Sequence, residues 1–552
     1  MAPKDKAAER ASDNHPPEQH EGEEQTDSED EAQNMNQVAG SSTGASTSTS
    51  KKKKKKKSKV SKALGAITGK SDIPDELVNE VLDKVKAEGS VPEQDLTVEN
   101  IREALKQLKI MDVVQGKAGL GGINKKDMGE HKFWGTQPVP QPGEGPPIDD
   151  GFIEPSRPVE EVRQEPYPLH KDFEWSILDI SDPSQCKEVY DLLSANYVED
   201  DAASFRFQYS AEFLKWALMP PGYHKEWHIG VRVVATKKLV AFISGVPMTL
   251  KVRRNVINVT EINYLCVHKR LRSKRLAPVL IKEVTRQTHL KGIFQAIYTA
   301  GVVVPTPVST CRYFHRSINV PKLVDIGFCF VPRNSTLARM MRLNAVPDSL
   351  SLPGIREMKE EDVLQVAQLF TKYIKRFDMH PIFDVEEIKH QFLSGRGQGN
   401  VGDGGPGRRK GQVTWAYVVE DPHTHQITDF FSFYSLPSAV IGNQKHPVLE
   451  AAYLYYYACD IVFEPNAEEG GLFKHRLQSL ITDALVVANH AKFDVFNALT
   501  LMDNVSILKD LRFGEGDGFL NFYLYNWRTA RLAGNNAEGD VPAGKGVGVV
   551  ML

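Results

Sequence analysis

The chain has 552 residues, of which 41% are hydrophobic and 25% are charged, and its formal net charge is −3. This composition predicts a soluble globular protein with two or more hydrophobic cores. The first ten residues lack an apolar stretch and no run of 18 apolar residues exists, so we expect neither a secretory signal nor a transmembrane segment. Five scattered cysteines without a CxxC spacing argue against disulfides and zinc, and favour the reduced cytosol.

The first 125 residues are predicted to be a largely disordered tail. Residues 1–50 carry three Lys or Arg against eleven Asp or Glu, and seven consecutive lysines follow at 51–57. Blocks of like charge with few aromatic residues do not fold alone. Two interpretations of the lysines stay open: a solvated tail or nuclear-import-like patch, and a surface that docks on RNA or the ribosome. Apolar residues at helical spacing predict short amphipathic helices at 73–85 and 98–108.

From about residue 170 the chain contains an internal repeat, which we divide into halves at 126–332 and 333–552. The first half is predicted to contain a helix near 183–197 and strands at 227–234, 239–247, 261–267, 295–300 and 327–332. The second half is predicted to contain helices at 360–376 and 474–490 and strands at 415–421, 427–437, 451–459, 493–499 and 519–527. Two copies of one mixed α/β unit, joined side by side, explain this order.

The segment from Glu261 to Thr285 predicts an anion-binding site. An apolar strand leads into five cations within seven residues, and an apolar helix with Pro278 in its first turn follows at once. A helix N-terminus presents backbone N–H groups and a positive dipole end, so it favours negative charge. We therefore expect a phosphorylated cofactor here. The cations are Lys269, Arg270, Arg272, Lys274 and Arg275.

Five segments, in order, resemble the N-myristoyltransferase (glycylpeptide N-tetradecanoyltransferase) family across residues 125–552. They are HKFWGTQPVP at 131–140, NYVEDD at 196–201, residues 261–286, YTAGVVVPTPVSTCRYFHRS at 298–317 and FGEGDGFLNFYLYNW at 513–527. The resemblance implies two fused GNAT-like acyl-CoA N-acyltransferase domains with a mixed sheet and a pseudo-twofold repeat. It also implies an enzyme that moves a tetradecanoyl group from CoA to an N-terminal glycine amine.

The resemblance implies myristoyl-CoA as a co-substrate, with no permanently bound cofactor and no metal. Burial of about thirteen acyl carbons would contribute roughly 10 kcal/mol at about 0.8 kcal/mol per methylene. In the wider superfamily the phosphate turn reads R/Q-x-x-G-x-G/A, and Arg275 stands here where glycine is commoner. The implied binding residues are His131, Lys132, Phe133, Trp134, Leu265, Cys266, Val267, Ser273, Lys274, Arg275, Leu276 and Ala277. From its residue type alone, Cys266 is expected to be a buried structural thiol.

The resemblance also implies the catalytic groups. The backbone N–H groups of Tyr264 and Leu265 would form an oxyanion hole, and one such donor is typically worth about 3 kcal/mol of barrier. The chain ends in VVML, apolar to the last residue, and the carboxylate of Leu552 would be the base. On reference pKa values that transfer is uphill by roughly 6 kcal/mol, so burial must close the gap. Asn263 and Thr299 would hydrogen-bond around the glycine; the alternative is ordinary strand residues.

A peptide groove is implied for the substrate. Loop acids suit a substrate N-terminus that contains Ser or Lys, although Ala202 stands where relatives often have a further acid. Without the resemblance, His315 would be an ordinary core or surface histidine and Asp517 a turn residue. The implied groove residues are Tyr197, Asp200, Asp201, Phe205, Phe207, Tyr313, His315, Ser438, Tyr453 and Asp517.

Two motifs are not expected to carry chemistry. The G-x-G-x-x-G match at 397–402 lies in a Gly/Arg loop at 394–411, which we predict to be a flexible insertion. The cluster Asp421-Pro-His-Thr-His425 joins two predicted strands and is predicted to be a hairpin turn.

The expected partners are proteins or nascent chains that begin with glycine, and the polylysine tail makes ribosome association possible. We expect a monomer in the cytosol that does not bind DNA. Two alternatives stay open: another GNAT-type acyltransferase with lysine or acetyl specificity, and a non-enzymatic adaptor that binds ribosomes or RNA through the lysine tail.

Overall fold

The structure is a computed structural model that describes residues 131–145, 147–197, 204–272, 274–533 and 546–552. The predicted tail at 1–125, with its lysine run and two helices, lies outside the described residues. So do three of the predicted site residues: Asp200, Asp201 and Ser273.

The described chain alternates strands and helices in nearly the predicted order. The strands are β1 Phe173–Ile177, β2 Phe205–Phe207, β3 His228–Val233, β4 Leu239–Val252, β5 Asn255–Val267, β6 Gln295–Ala300, β7 Ser309–Ser317, β8 Ile355–Glu357, β9 Met379–Pro381, β10 Thr414–Glu420, β11 Ile427–Ser435, β12 Ser438–Val440, β13 Val448–Leu449, β14 Ala451–Cys459, β15 Val495–Leu499 and β16 Gly514–Tyr525. The α-helices are α1 Pro183–Asn196, α2 Ala211–Leu218, α3 Leu276–His289, α4 Val320–Asp325, α5 Leu337–Leu343, α6 Val363–Ile374, α7 Val385–Lys389, α8 Leu472–His490 and α9 Val505–Leu508.

One mixed sheet of 13 strands runs through both halves of the described chain, in the order β1-β3-β4-β5-β6-β16-β7-β15-β14-β11-β10-β8, with β9 on the edge of β4. A small sheet, β13-β12-β2, joins the two halves a second time. The pairs β5–β6 and β14–β15 are parallel, whereas the pairs β4–β5 and β10–β11 are antiparallel. The predicted mixed α/β fold with an internal repeat is confirmed.

The two halves exchange their last strands. The run β1-β3-β4-β5-β6 of the first half corresponds to β8-β10-β11-β14-β15 of the second. However, β16 from the second half pairs with β6, and β7 from the first half pairs with β15. Because β7 and β16 also pair with each other, the two units are joined by continuous hydrogen bonding at the centre of the sheet.

The predicted strand at 327–332 is wrong. These residues follow α4 and adopt no regular structure, and the strand that closes the first half is β7. Gly327 has a φ of +75°, which interrupts an extended course. The apolar side chains there pack instead of pairing: the ring of Phe328 lies edge-on against Phe205 and His315, at 5.9 and 5.4 Å between ring centroids.

The loop at 394–411, predicted to be a flexible insertion, is held to the body by several contacts. An isolated bridge joins Gln398 to Lys410, and Arg409 forms an ion pair with Glu357. Arg408 donates to the Ala491 carbonyl oxygen at 2.6 Å. The local sequence is rich in glycine, but these arginines reach partners distant in the sequence.

The predicted hairpin turn between β10 and β11 is confirmed. The Asp421 carboxylate accepts backbone N–H bonds from His423 and Thr424 at 2.9 and 2.8 Å. Within the described residues, no helix is long and apolar enough to cross a membrane.

Helix α3 covers one face of the first half. Its buried residues Leu280, Ile281 and Val284 share a hydrophobic cluster with Leu265 and Trp134. The opposite face of the same strands belongs to the larger core, which contains the buried C-terminal residues. Strand β5 therefore separates the hydrophobic cluster under α3 from the larger core.

Candidate active site

Strand β5 contains a β-bulge at the residues predicted to form the oxyanion hole. Asn263 lies opposite Ser244, and Cys266 lies opposite Phe242, so Tyr264 and Leu265 together face one residue of β4. Tyr264 has a φ of +56°, a left-handed conformation that costs a non-glycine residue about 1–3 kcal/mol. A bulge disrupts the ladder and leaves backbone groups unpaired. Two adjacent N–H groups at this position can serve as donors to a ligand.

The bulge also reverses the alternation of side chains along β5. Ile262 lines a cavity on the α3 face, whereas the Asn263 side chain bonds to Glu261 on the other face. Tyr264 then packs in the larger core, and Leu265 returns to the α3 cluster. An unbulged strand would place Asn263 and Tyr264 on opposite faces. Here the two consecutive side chains share one face, and Leu265 faces the other.

An opening between β5 and β6 begins beside the bulge. The two parallel strands pair at only three positions, the last being Glu261 opposite Ile297. Strand β5 continues to Val267, and the other edge of β6 pairs with β16 from Ala296 to Ala300, where Thr299 lies opposite Phe522. Thr299 is buried. The bulge therefore faces a gap in the ladder instead of a neighbouring strand.

The cationic turn lies at the end of β5. A 3-10 turn spans Lys269–Leu271, and Asn196 of α1 holds it, accepting from the Lys269 N–H at 3.1 Å and from the Arg272 guanidinium at 2.6 Å. Arg275, with a φ of +55°, precedes α3, whose first residues Leu276 and Ala277 are buried. Within the described chain, Arg270, Lys274 and Arg275 are exposed and belong to no ion pair. Their charge is available to an anion at the helix N-terminus.

The segment at residues 131–134 lies on the α3 face. Trp134 is buried and stacks on Tyr298 at 5.4 Å, and Tyr298 stacks on Tyr523 at 5.0 Å. His131 is buried, Phe133 half-buried and Lys132 exposed. A cavity of about 30 Å³ lies between Trp134 and residues of β5, β6 and α3. Most of the predicted acyl-CoA residues therefore share one side of the sheet.

Cys266 is the exception to this arrangement, because the bulge turns it into the larger core. Burial raises the pKa of its thiol to about 12, so the thiol stays protonated at neutral pH. The expectation of a buried structural cysteine is confirmed.

The C-terminal segment is buried in the protein. Val549, Val550 and Met551 are buried, and Leu552 is half-buried. The backbone N–H of Val550 donates to the Tyr456 hydroxyl at 3.0 Å. Further back, the N–H of Gly548 donates to the Met379 carbonyl oxygen at 2.7 Å. These bonds fix the path of the chain as far as Val550.

The terminus ends beside β5. The backbone N–H of Leu552 faces the carboxyl of Glu261, which accepts from the Asn263 amide at 2.7 Å. The Asn263 Oδ1 atom is buried and has no partner. A buried acceptor without a partner is costly, so this oxygen is a candidate contact for a ligand donor. The terminus, Asn263 and the bulge are thus brought together.

Most predicted groove residues lie in one aromatic cluster that extends from the bulge. The ring of Tyr264 contacts Tyr197 and Tyr209, and Phe207 connects Tyr209 to Tyr453. Ser438 of β12 pairs directly with Phe207. Tyr313 is buried, and Phe205 reaches His315 through Phe328. This cluster lies in the larger core, on the side of β5 opposite to the cationic turn and α3.

His315 lies at the far part of this cluster. Its Nδ1 atom bonds to the Asn497 amide oxygen at 2.7 Å, and burial lowers its pKa. The charge of Asp517, which is exposed, opposes that shift. Gly516 approaches so closely that an added Cβ would lie 2.4 Å from His315 Nε2. The neutral imidazole and the carboxylate form a polar end to an otherwise aromatic surface.

Sequence reasoning missed four residues that build this region: Tyr209, Glu261, Tyr456 and Asn497. Glu261 carried a signal, because it is the only acid in the apolar stretch EINYLCV. The other three are indistinguishable by residue type from the many aromatic and strand-end polar residues around them.

Comparisons with known proteins show which family this chain is similar to. The family models "Myristoyl-CoA:protein N-myristoyltransferase, N-terminal domain" and "C-terminal domain" match residues 152–311 and 325–550. Glycylpeptide N-tetradecanoyltransferase of Emericella nidulans is 51% identical over 459 residues, covering 82% of this chain and 89% of that protein. The Schizosaccharomyces pombe protein of the same name is 46% identical, covering 82% and 95%. A crystal structure of Saccharomyces cerevisiae N-myristoyltransferase with bound myristoyl-CoA superposes with a TM-score of 0.73 at 44% identity, covering 82% of this chain and 100% of that chain.

Proposed function

The chain belongs to the myristoyl-CoA:protein N-myristoyltransferase family, and on that premise we propose that it transfers the tetradecanoyl group of myristoyl-CoA to the N-terminal glycine amine of proteins. The observation that carries the proposal is the bulge at Tyr264. It lies between a cationic helix N-terminus on one face of β5 and the buried C-terminus on the other. A thioester bound across this bulge would have its phosphates and its acyl acceptor on opposite sides of one strand.

In this proposal the α3 face holds the acyl-CoA. The exposed cations Arg270, Lys274 and Arg275, with Ser273, bind the phosphates, and the α3 N-terminus adds its dipole. The residues from His131 to Trp134 and from Leu265 to Val267 supply the acyl-CoA surface, with Cys266 contributing only its backbone. Apolar burial of the acyl chain would supply most of the binding free energy and select the chain length.

The reaction forms one C–N bond and breaks one C–S bond. The glycine nitrogen attacks the thioester carbonyl carbon, and negative charge develops on its oxygen near the N–H groups of Tyr264 and Leu265. The carboxylate of Leu552 takes one proton from the glycine ammonium before attack, which frees the nitrogen lone pair to form the C–N bond. The attacking nitrogen then loses a second proton to become the amide. The CoA sulfur leaves with the electron pair of the broken C–S bond and takes up that second proton as the thiol. Asn263 Oδ1 and the Thr299 hydroxyl hold the amine. Donors placed in advance are effective because they do not reorganise during the reaction.

The aromatic cluster would hold the rest of the peptide. Tyr197, Phe205, Phe207, Tyr313, Ser438 and Tyr453 form its walls, while His315 and Asp517 offer polar contacts further from the glycine. Asp200 and Asp201 would add negative charge for a Lys-containing substrate.

We propose domain boundaries at 1–125, 126–332 and 333–552, with a monomeric enzyme in the cytosol that acts on glycine-start proteins or nascent chains. The polylysine tail would serve localisation, for example at the ribosome. Removal of residues 1–70 separates this role from an adaptor function, because the shortened enzyme should keep its acyl transfer.

The test uses the full chain with two thioesters and two peptides. We expect rapid transfer from tetradecanoyl-CoA to a peptide that begins with glycine, and little from acetyl-CoA or to the same peptide beginning with alanine. Preferred use of acetyl-CoA, or equal modification of the alanine peptide, would instead favour the alternative GNAT-type activity.

A further inference from the structure

Glu261 is a buried acid whose role the proposed reaction leaves open. It lies on β5 three residues before the bulge, is 8% exposed, and belongs to no ion pair within the described chain. Burial raises the pKa of its carboxyl to about 7, and bonds from Asn263 and the Leu552 amide oppose that rise. A buried carboxyl without a cation is expensive, so its retention calls for a physical reason.

The groups that face Glu261 come from three elements. On its own strand they are the Asn263 amide, at 2.7 Å, and the Tyr264 phenol. From β14 they are the phenols of Tyr455 and Tyr456, and from the C-terminus it is the backbone of Leu552. The carboxyl thus receives two donors, one from each of the groups that would meet the substrate amine.

The first bond determines how the Asn263 side chain is oriented. Because Nδ2 donates to Glu261, the Oδ1 atom points away from it, and this oxygen is buried without a partner. An ammonium offers donors only, so it needs an oxygen here and not an NH2 group. Once deprotonated, the amine needs its lone pair for attack, so its N–H groups remain the part that can bond to this oxygen. A donor in place of the Glu261 oxygen would favour the flipped amide, which would present NH2 to the substrate.

The second bond determines where the chain ends. Val550 is tied to the Tyr456 hydroxyl, and Leu552, two residues on, is tied to Glu261. The terminal carboxylate belongs to the residue that makes the second bond. Apolar contacts are not directional, so this polar contact is what would direct the terminal carboxylate.

We propose that Glu261 is a positioning residue that orients the Asn263 amide oxygen and the Leu552 carboxylate toward the substrate amine together. This inference rests on the proposed acyl transfer and extends it to a residue outside the reacting atoms. Groups held by such a second layer lose much of their effect when that layer is removed.

The test is a double-mutant cycle in single-turnover acyl transfer. Glu261→Gln conserves volume but exchanges one acceptor oxygen for a donor, so it cannot accept both bonds through separate oxygens. We expect its transfer rate to fall by roughly 10–100-fold, with the Kd for tetradecanoyl-CoA unchanged within about twofold. In an Asn263→Ala background the same substitution should cost much less, because the two residues act as a unit.

Thr260→Val is the matched control. Thr260 is the buried neighbour of Glu261 on β5, and its hydroxyl has no partner. Its removal should leave the rate unchanged. Glu261→Asp, which keeps both oxygens but is one methylene shorter, provides a second variant if the glutamine protein does not fold; we expect a several-fold loss with retained thioester binding.

The outcomes separate the two proposals. If the wild-type protein transfers no acyl group to a glycine peptide, the proposed function fails. If the wild type is active but the Gln or Asp variant matches Thr260→Val, the positioning role of Glu261 is refuted while the proposed function stands. The same holds if the effects of Glu261→Gln and Asn263→Ala are additive.

Discussion

Displacing the C-terminal carboxylate by one residue should abolish turnover while leaving acyl-CoA binding intact. One extended residue spans about 3.3–3.6 Å, which exceeds the tolerance of a hydrogen bond. An added glycine after Leu552 therefore moves the charge out of reach of an amine placed at Asn263. Deletion of Met551 and Leu552 removes the carboxylate from the site and also the N–H donor to Glu261.

The expected loss follows from the role of a base. General base catalysis contributes about 10²–10⁴-fold, or roughly 3–5 kcal/mol of barrier. We expect kcat to fall by at least about 100-fold in both variants. The thioester Kd should stay within about threefold, since the cationic turn and Trp134 lie on the other face of β5.

The assay combines single-turnover transfer to a glycine peptide with a direct titration of tetradecanoyl-CoA. Leu552→Ala is the matched control, because it keeps the terminal carboxylate and its N–H and loses only a half-buried side chain. Its rate should fall less than about tenfold. A normal rate in either the extended or the shortened protein would refute the terminal carboxylate as the base.

Three further predictions concern neighbouring residues. Gly516→Ala should raise the peptide KM at least about tenfold, because the added Cβ would lie 2.4 Å from His315 Nε2. Gly514→Ala is the control and should leave KM unchanged, because its added Cβ would lie 3.8 Å from the nearest atom. Equal KM values for the two variants would contradict this. Tyr264→Phe should keep kcat and raise Tm, because the buried hydroxyl has no partner and the proposed role is that of the backbone; lost turnover would argue otherwise. Between pH 5 and 8 the unfolding free energy of the wild type should fall by up to about 3 kcal/mol more than that of Glu261→Gln. The Glu261 carboxyl, whose pKa is raised to about 7 in the fold, contributes stability that is fully present below about pH 4.5 and is lost as the pH rises through 7. Parallel curves of unfolding free energy against pH would contradict this.

The local elements of the fold could be predicted from the sequence because they depend on short-range patterns. Strand β6 and strand β14 have the predicted bounds, and α3 follows the cationic turn as expected. The exchange of β7 and β16 between halves could not be predicted, because it depends on pairing between residues about 200 positions apart. The apolar run at 327–332 has the composition of a strand and lacks only a partner.

The placement of the candidate site residues was only partly predictable. Family resemblance pointed to Tyr264 and Leu552, and the structure brings both to one end of β5. Nothing in the letters EINYLCV indicates a left-handed residue, because tyrosine rarely adopts that conformation and its cost is met by the surrounding fold. Likewise Glu261 and the last residue are 291 positions apart, and only the folded chain brings them together.

We expect this enzyme to acylate the N-terminal glycine amine with a C14 chain. The most direct measurement is tandem mass spectrometry of a peptide with an N-terminal glycine and an internal lysine, after incubation with the full-length protein and tetradecanoyl-CoA. The account predicts one tetradecanoyl group on the glycine nitrogen and an unmodified lysine. A tetradecanoyl group on the lysine alone, or no acylated peptide at all, would contradict it.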